Sequence, residues 1–276
     1  MPAKKTKTEK PVICNAKYES TGETKVWLGV TLHRIRAKVA IGLVAAGTVG
    51  GWVASEANLD VSGNAWVSGN AWVSGDAQVS GNAQVSGNAW VSGDAQVSGN
   101  AQVSGNAWVS GDAQVSGNAW VSGDAQVSGN ARVSGNAWVS GDAQVSDNAW
   151  VSGDARVSGN ARVSGDARVY GNAQVSGDAR VYGNAQVYGN AQVYGTILMA
   201  TRSDGYNFVA APTPDGPRII AGCRYFTFDE ARSHWKTTRK GTQLGDESLA
   251  LVDFLERMAT IRGFIEPVKD VAEAAE

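Results

Sequence analysis

The stretch Val61-Ser62-Gly63-Asn64-Ala65-Trp66-Val67-Ser68-Gly69-Asn70-Ala71-Trp72 decides the fold. Its unit, Val-(Ser/Tyr)-Gly-(Asn/Asp)-Ala-x, continues to Gly195. A valine stands at every sixth position from Val61 to Val193, 23 in all, and the sole break at the glycine position is Asp147. A six-residue period fits neither the turn of an α-helix nor a heptad. A flat strand is excluded too, because Gly-Asn or Gly-Asp places a turn signal in every unit. Each unit therefore reads as one short strand, Ala-x-Val, and one corner, Ser-Gly-Asn/Asp. Strand alternation points Ala and Val to one side and x to the other. Valine fills the interior, alanine leaves room beside the corner, and Gly, Asn or Asp tolerate the left-handed dihedral a corner needs. Three units close a coil, and the next coil stacks about 4.8 Å above it through backbone hydrogen bonds. The expected class is all-β: a left-handed parallel β-helix with three hexapeptides per coil, an N-terminal cap and a small α+β C-terminal module. The RTX nonapeptide solenoid, which binds calcium through Gly and Asp, has the wrong period.

The x positions alone vary freely, and folding them by coil gives three outward faces. One carries Trp72, Trp90 and Trp108, then Gln126, Gln144, Arg162 and Arg180. A second carries Trp66, Gln84, Gln102, Trp120, Trp138, Arg156, Gln174 and Gln192. The third carries Gln78, Gln96, Gln114, Arg132, Trp150, Arg168 and Gln186. Indoles in successive coils form an apolar stripe on a surface that should be wet, and such stripes mark partner surfaces. The competing reading is a packing ladder along stacked strands. The candidate interaction surface is Trp72, Trp90, Trp108, Trp120 and Trp138, with Arg132, Trp150 and Arg168 as a cation–π series. Carbohydrate stacking would use the same indole faces. Asp76, Asp94 and Asp112 should stack along one corner, where turn geometry explains them better than a cation does. Tyr170 and Tyr188 stack along another edge.

Catalytic chemistry has little to work with. The 276-residue chain holds two histidines, His33 before the repeat and His234 after it, and the repeat itself contains no His, Cys, Lys or Glu. Cys14 and Cys223 fit no metal or redox spacing and suggest a reducing compartment. A Cys223–His234 nucleophile and base would require a proximity that nothing in the sequence provides. No catalytic residue, metal or cofactor is expected. Residues 1–40 carry nine Lys/Arg against three Asp/Glu, whereas the repeat carries five Arg and nine Asp. A basic arm on an acidic body offers a nucleic-acid contact as an alternative to a protein partner or self-association. The uncharged stretch Val39–Ser55 is short for a span and rich in glycine, so neither a membrane span nor a signal peptide is expected.

The boundaries expected are 1–30, a basic flexible arm; 31–60, an N-terminal cap; 61–195, the β-helix; 196–264, a ββαα module; and 265–276, a flexible tail. In the module, Tyr206–Ala210 and Arg218–Gly222 read as a hairpin around Pro214-Asp215-Gly216. Thr227 opens a capping-box helix. Asp246 caps a second helix bearing Leu249, Val252, Leu255 and Met258 on one face, ended by Gly263.

Thr31-Leu32-His33-Arg34-Ile35-Arg36-Ala37, Gly50-Gly51-Trp52-Val53, Ser55-Glu56 and Asn58-Leu59, with the repeat, resemble a bacterial and phage family of hexapeptide-repeat proteins. Its members are often labelled acyltransferases. The stretch Ala37–Gly50 departs from that family, being apolar where the family is charged. Arg202-Ser203-Asp204-Gly205-Tyr206, Ala221–Thr227, Glu230-Ala231-Arg232 and His234-Trp235 resemble a small module of phage and prophage proteins. The resemblance implies a phage or prophage setting, in the host cytoplasm or the virion. In the acyltransferases a histidine on the helix acts as general base, and this repeat has none. The expected function is a non-enzymatic β-helical rod that presents interaction surfaces. A hexapeptide-family acyltransferase and a nucleic-acid-contacting protein are the alternatives.

Overall fold

A computed structural model describes residues 13–222 and 224–265. The chain divides into two compact units, Met1–Asp142 and Ala143–Glu276, and both contain coils of the same β-solenoid design.

In the first unit, rungs of two residues, x and Val, stack in parallel register at intervals of one coil. Gln102 and Val103 pair with Trp120 and Val121, which pair with Trp138 and Val139. The bonds are regular, as in Gln102 N–H to Ala119 O and Ser104 N–H to Val121 O, both 2.9 Å. Every Ala and Val of the rungs is fully buried, Val121 included. The corner glycines take φ between 62° and 72°. At Gly105 a Cβ would lie 2.8 Å from the Gly123 carbonyl oxygen one coil on, so both dihedral and spacing demand glycine. The Asn beside each glycine does more than turn the chain. Asn64, Asn82, Asn100, Asn118 and Asn136 form a ladder in which each Nδ2 donates to the next Oδ1 at 2.9–3.1 Å.

The N-terminal end corrects three expectations. Residues 1–30 were expected to be a flexible arm, yet β1 (Tyr18–Trp27) and β2 (Val30–Ala37) form an antiparallel hairpin. Leu28 and Gly29 turn it, both at positive φ, as a two-residue hairpin loop requires. The run Lys4–Lys7 lies outside the described residues. β2 then pairs with β3 (Val49–Val53), and β3 pairs in parallel with the Trp72–Val73 rung. The solenoid therefore begins before the regular repeat: Trp52 and Val53 occupy x and Val positions of a coil two residues longer than the rest, since they pair with Trp72 and Val73. Leu59 likewise pairs with Val79 and is buried, while Val61, the first valine of the count, is 49% exposed. Trp66, expected on an outward face, is 2% exposed. Its ring fills the place of a side chain at Gly50, where a Cβ would meet it at 2.6 Å. Asn58 closes the same end, donating to the Gly75 and Ala77 carbonyls and accepting from the N–H groups of Ala54 and Ser55.

In the second unit the rungs likewise pair in parallel, for example Trp150–Arg168–Gln186 and Gln144–Arg162–Arg180. Asp147, the one residue other than glycine at its corner position, adopts φ 60°. Its carboxylate accepts the Gly165 N–H of the next coil at 3.0 Å. Alanine would keep the dihedral penalty and lose the acceptor, so Asp147→Ala should cost about 1–2 kcal/mol. For Asp147→Gly, relief of the dihedral offsets the lost bond, and the change should stay within about 0.5 kcal/mol. Denaturant titration of both variants checks this, and equal stabilities would contradict it.

Beyond the last coil, Ile197 is buried and a four-stranded antiparallel sheet follows. Its strands are β4 (Leu198–Thr201), β5 (Asn207–Ala211), β6 (Arg218–Ala221) and β7 (Arg224–Phe226), in that order. The expected hairpin is β5–β6; the two flanking strands correct the ββαα reading. They escaped it because each is short and neither has a fully buried residue. α1 (Phe228–Thr238) has the expected Thr227–Glu230 capping box. α2 (Gln243–Ile261) starts earlier than expected, capped by Thr242, with Asp246 inside its first turn. Phe208, Ile219, Phe228, Trp235, Val252 and Leu255 form the module's core. Arg232 of α1 binds Asp253 and Glu256 of α2. No described helix is long and apolar enough to cross a membrane.

Candidate functional site

The outward indoles of the first unit fall into two groups with different surroundings. Trp72, Trp90 and Trp108 stand in line as expected: ring centroids are 4.1 Å apart for the first pair and 4.6 Å for the second, with planes 15° and 5° from parallel. Such stacking contributes about 0.5–1.5 kcal/mol per pair beyond burial. The hairpin tip covers part of this stripe. Trp27, at the end of β1, meets Trp72 and Trp90 edge-on at 5.4 and 6.2 Å. Lys25 places its ammonium 4.5 Å from the Trp52 ring and 4.9 Å from Trp72. Burial, and then the neighbouring Arg34, lower the pKa of Lys25. Trp72 and Trp90 are accordingly half-buried, whereas Trp108 is 41% exposed. Neither Trp27 nor Lys25 was named from the sequence, because their role depends on a tertiary fold-back that no local spacing reports.

Trp120 and Trp138 form the second group. They stack at 5.1 Å with planes 4° from parallel, and about two-fifths of each is exposed. Trp120 Nε1 donates to Ser104 Oγ at 3.3 Å. In both stacks indole faces lie against indole faces. What the stacks present outward is a row of ring edges. That geometry disfavours carbohydrate stacking, which needs open faces. Arg132 is exposed on its rung beside Gln114.

In the second unit the Arg168 guanidinium lies 5.9 Å from the Trp150 ring centre. Trp150, Ser152, Arg168 and Tyr170 line a surface cavity of about 180 Å³. Tyr170 and Tyr188 stack at 4.8 Å. Asp76, Asp94 and Asp112 are exposed at their corner, and among the described residues no side-chain hydrogen bond links them. Where an Asp follows an Asn, the Asn amide donates to it, as Asn106 does to Asp124 at 2.7 Å.

The histidines are placed apart from the repeat. His33 is on β2, and His234 is on α1, against Phe226 and Trp235 at 5.2 and 4.6 Å. Burial, and then Arg224, hold the pKa of His234 below its usual value. Cys223 lies outside the described residues, so the Cys223–His234 pairing does too. Among the described residues, no group of three or more His, Cys, Asp or Glu could hold a metal ion.

A family model described as the YdcK beta solenoid repeat matches eight segments, 77–93, 83–99, 95–111, 125–141, 143–159, 155–171, 161–177 and 173–189. The repeat is thus similar in sequence to known β-solenoid repeats as well as in backbone design. No curated protein matches the chain.

Proposed function

We propose that the chain is a non-enzymatic scaffold whose solenoid presents exposed indoles to a protein partner. The observation that carries this reading is the Trp120–Trp138 stack, two large apolar rings left two-fifths exposed on a regular, fully bonded coil. Gln occupies the equivalent position in neighbouring coils without loss of register, so folding alone does not require Trp there. Exposed aromatic groups on a rigid support lose little conformational freedom on binding, which favours them as anchors. The setting proposed is phage or prophage, in the host cytoplasm or on the virion, and it rests on the resemblance of the chain's two ends. Exchanging Trp120 and Trp138 for Gln, with partner capture as the readout, tests the reading.

The acyltransferase alternative requires a general base beside the repeat and a place for a coenzyme phosphate. The outward rungs supply Trp, Gln and Arg, and the corners supply Asn, Asp, Ser and Tyr. Calorimetric titration with acetyl-coenzyme A should therefore give no saturable heat. Even micromolar affinity would overturn the scaffold reading in favour of the enzyme.

A further inference from the structure

The C-terminal module contains a cavity of about 330 Å³ between β7, the end of α1 and the start of α2. Its wall holds three arginines, Arg202, Arg224 and Arg239, together with His234, and among the described residues no carboxylate lines it. Arg202 is already committed: it is buried and bound to Asp204 and Ser248. Arg224 and Arg239 are exposed, and neither forms an ion pair among the described residues. Two guanidiniums facing one cavity without a counter-charge repel each other, and an anion relieves that repulsion. Two further features agree. The positive end of the 19-residue helix α2 is at the wall through its cap Thr242, which adds to the attraction for an anion. Trp235 is 4% exposed and forms part of the wall, and its Nε1 has no hydrogen-bond partner among the described residues.

The geometry points to a binding site for a phosphate monoester carrying a sugar or base, that is, a nucleotide, either free or at the end of a nucleic-acid strand. Arg224 and Arg239 would grip the phosphate as bidentate donors. The volume exceeds what a phosphate fills, and the rings of His234, Trp235 and Tyr206 offer surfaces for the rest of the ligand. This site is independent of the indole surface proposed above.

The full chain contains two histidines, so their ring signals in a proton NMR spectrum are easily distinguished. Adding adenosine monophosphate, or a terminally phosphorylated single-stranded oligonucleotide, should shift the His234 signals saturably and leave those of His33 unmoved. A response to the mononucleotide identifies a free ligand, and a response to the oligonucleotide alone identifies a strand end. Arg224→Gln and Arg239→Gln should each weaken binding about tenfold or more, whereas Arg257→Gln, outside the cavity wall, should not. The wild-type spectra decide the matter even where a variant fails to fold. The proposal is overturned by the absence of any saturable shift with either ligand, by equal shifts at His33, or by undiminished binding in the two cavity variants.

Discussion

Val121→Asp is expected to disrupt the coils around it, while Gln126→Ala leaves them intact. Val121 is fully buried and pairs with Val103 on one side and Val139 on the other. An aspartate there faces only Ala and Val side chains, because every inward position of neighbouring coils is one or the other. A carboxyl group without a partner in such surroundings costs on the order of 4 kcal/mol or more, whether it stays charged or takes up a proton. The damage spreads, since each coil is held only by its neighbours. Gln126 is outward on the rung after Trp108, so its truncation should change stability by about 0.5 kcal/mol or less. Thermal melts followed by far-ultraviolet circular dichroism compare the two, and equal midpoints would contradict the inward and outward assignment.

The second large effect is expected in the C-terminal module, and it is asymmetric. Arg202 and Asp204 form a bidentate pair at 2.8 and 2.9 Å, but the Arg side chain is 2% exposed and the Asp side chain 38%. Removing Arg202 leaves a carboxylate that water can still reach. Arg202→Met also refills much of the space beside Tyr206, Phe208 and Trp235, whose rings lie 4.8–5.9 Å from the guanidinium. Its expected cost is about 1–2 kcal/mol. Removing Asp204 instead strands a buried positive charge, so Asp204→Ala should destabilise the module more than Arg202→Met does. The pair also gives a pH signature. Hydrogen bonds from Arg202 are the main reason the Asp204 carboxyl is lowered from 3.8 to about 2. A depressed carboxyl stabilises the fold above its unfolded pKa, and that contribution is lost as pH falls from about 4 towards 2. Melts across that window should show a steeper loss for wild type than for Asp204→Ala. A module more sensitive to Arg202→Met than to Asp204→Ala would overturn this account.

The regular coils were legible because each position repeats one demand: inward Ala and Val, a glycine at positive φ, an outward x. The register followed directly, and the indole stacks with it. The ends were harder, because there the same residue types answer to different neighbours. Trp66 has the sequence context of an outward residue, yet it is buried against Gly50 since the coil before it is longer than the rest. β1 exposes half of its residues, so polarity suggested an arm, while pairing with β2 and the contact of Trp27 with the indole stripe hold it in place. The Asn ladders were hidden by the turn propensity of Asn, which already accounts for its presence at a corner. In the C-terminal module, Arg224 is separated in sequence from His234 and Arg239, which lie on and at the end of α1, and meets them only through the packing of β7 on α1.

The central claim is that the exposed indoles bind a partner rather than merely pack. It is tested most directly by immobilising wild-type protein and the Trp108→Gln/Trp120→Gln/Trp138→Gln variant and quantifying the proteins each retains from host-cell and phage-infected extracts. Trp72, Trp90 and Trp27 are left in place so that the hairpin contact survives, and matching thermal melts confirm that the variant is folded. The account predicts at least one protein retained by wild type and lost by the variant. Identical retained sets from both would contradict it and leave the stacks as packing ladders.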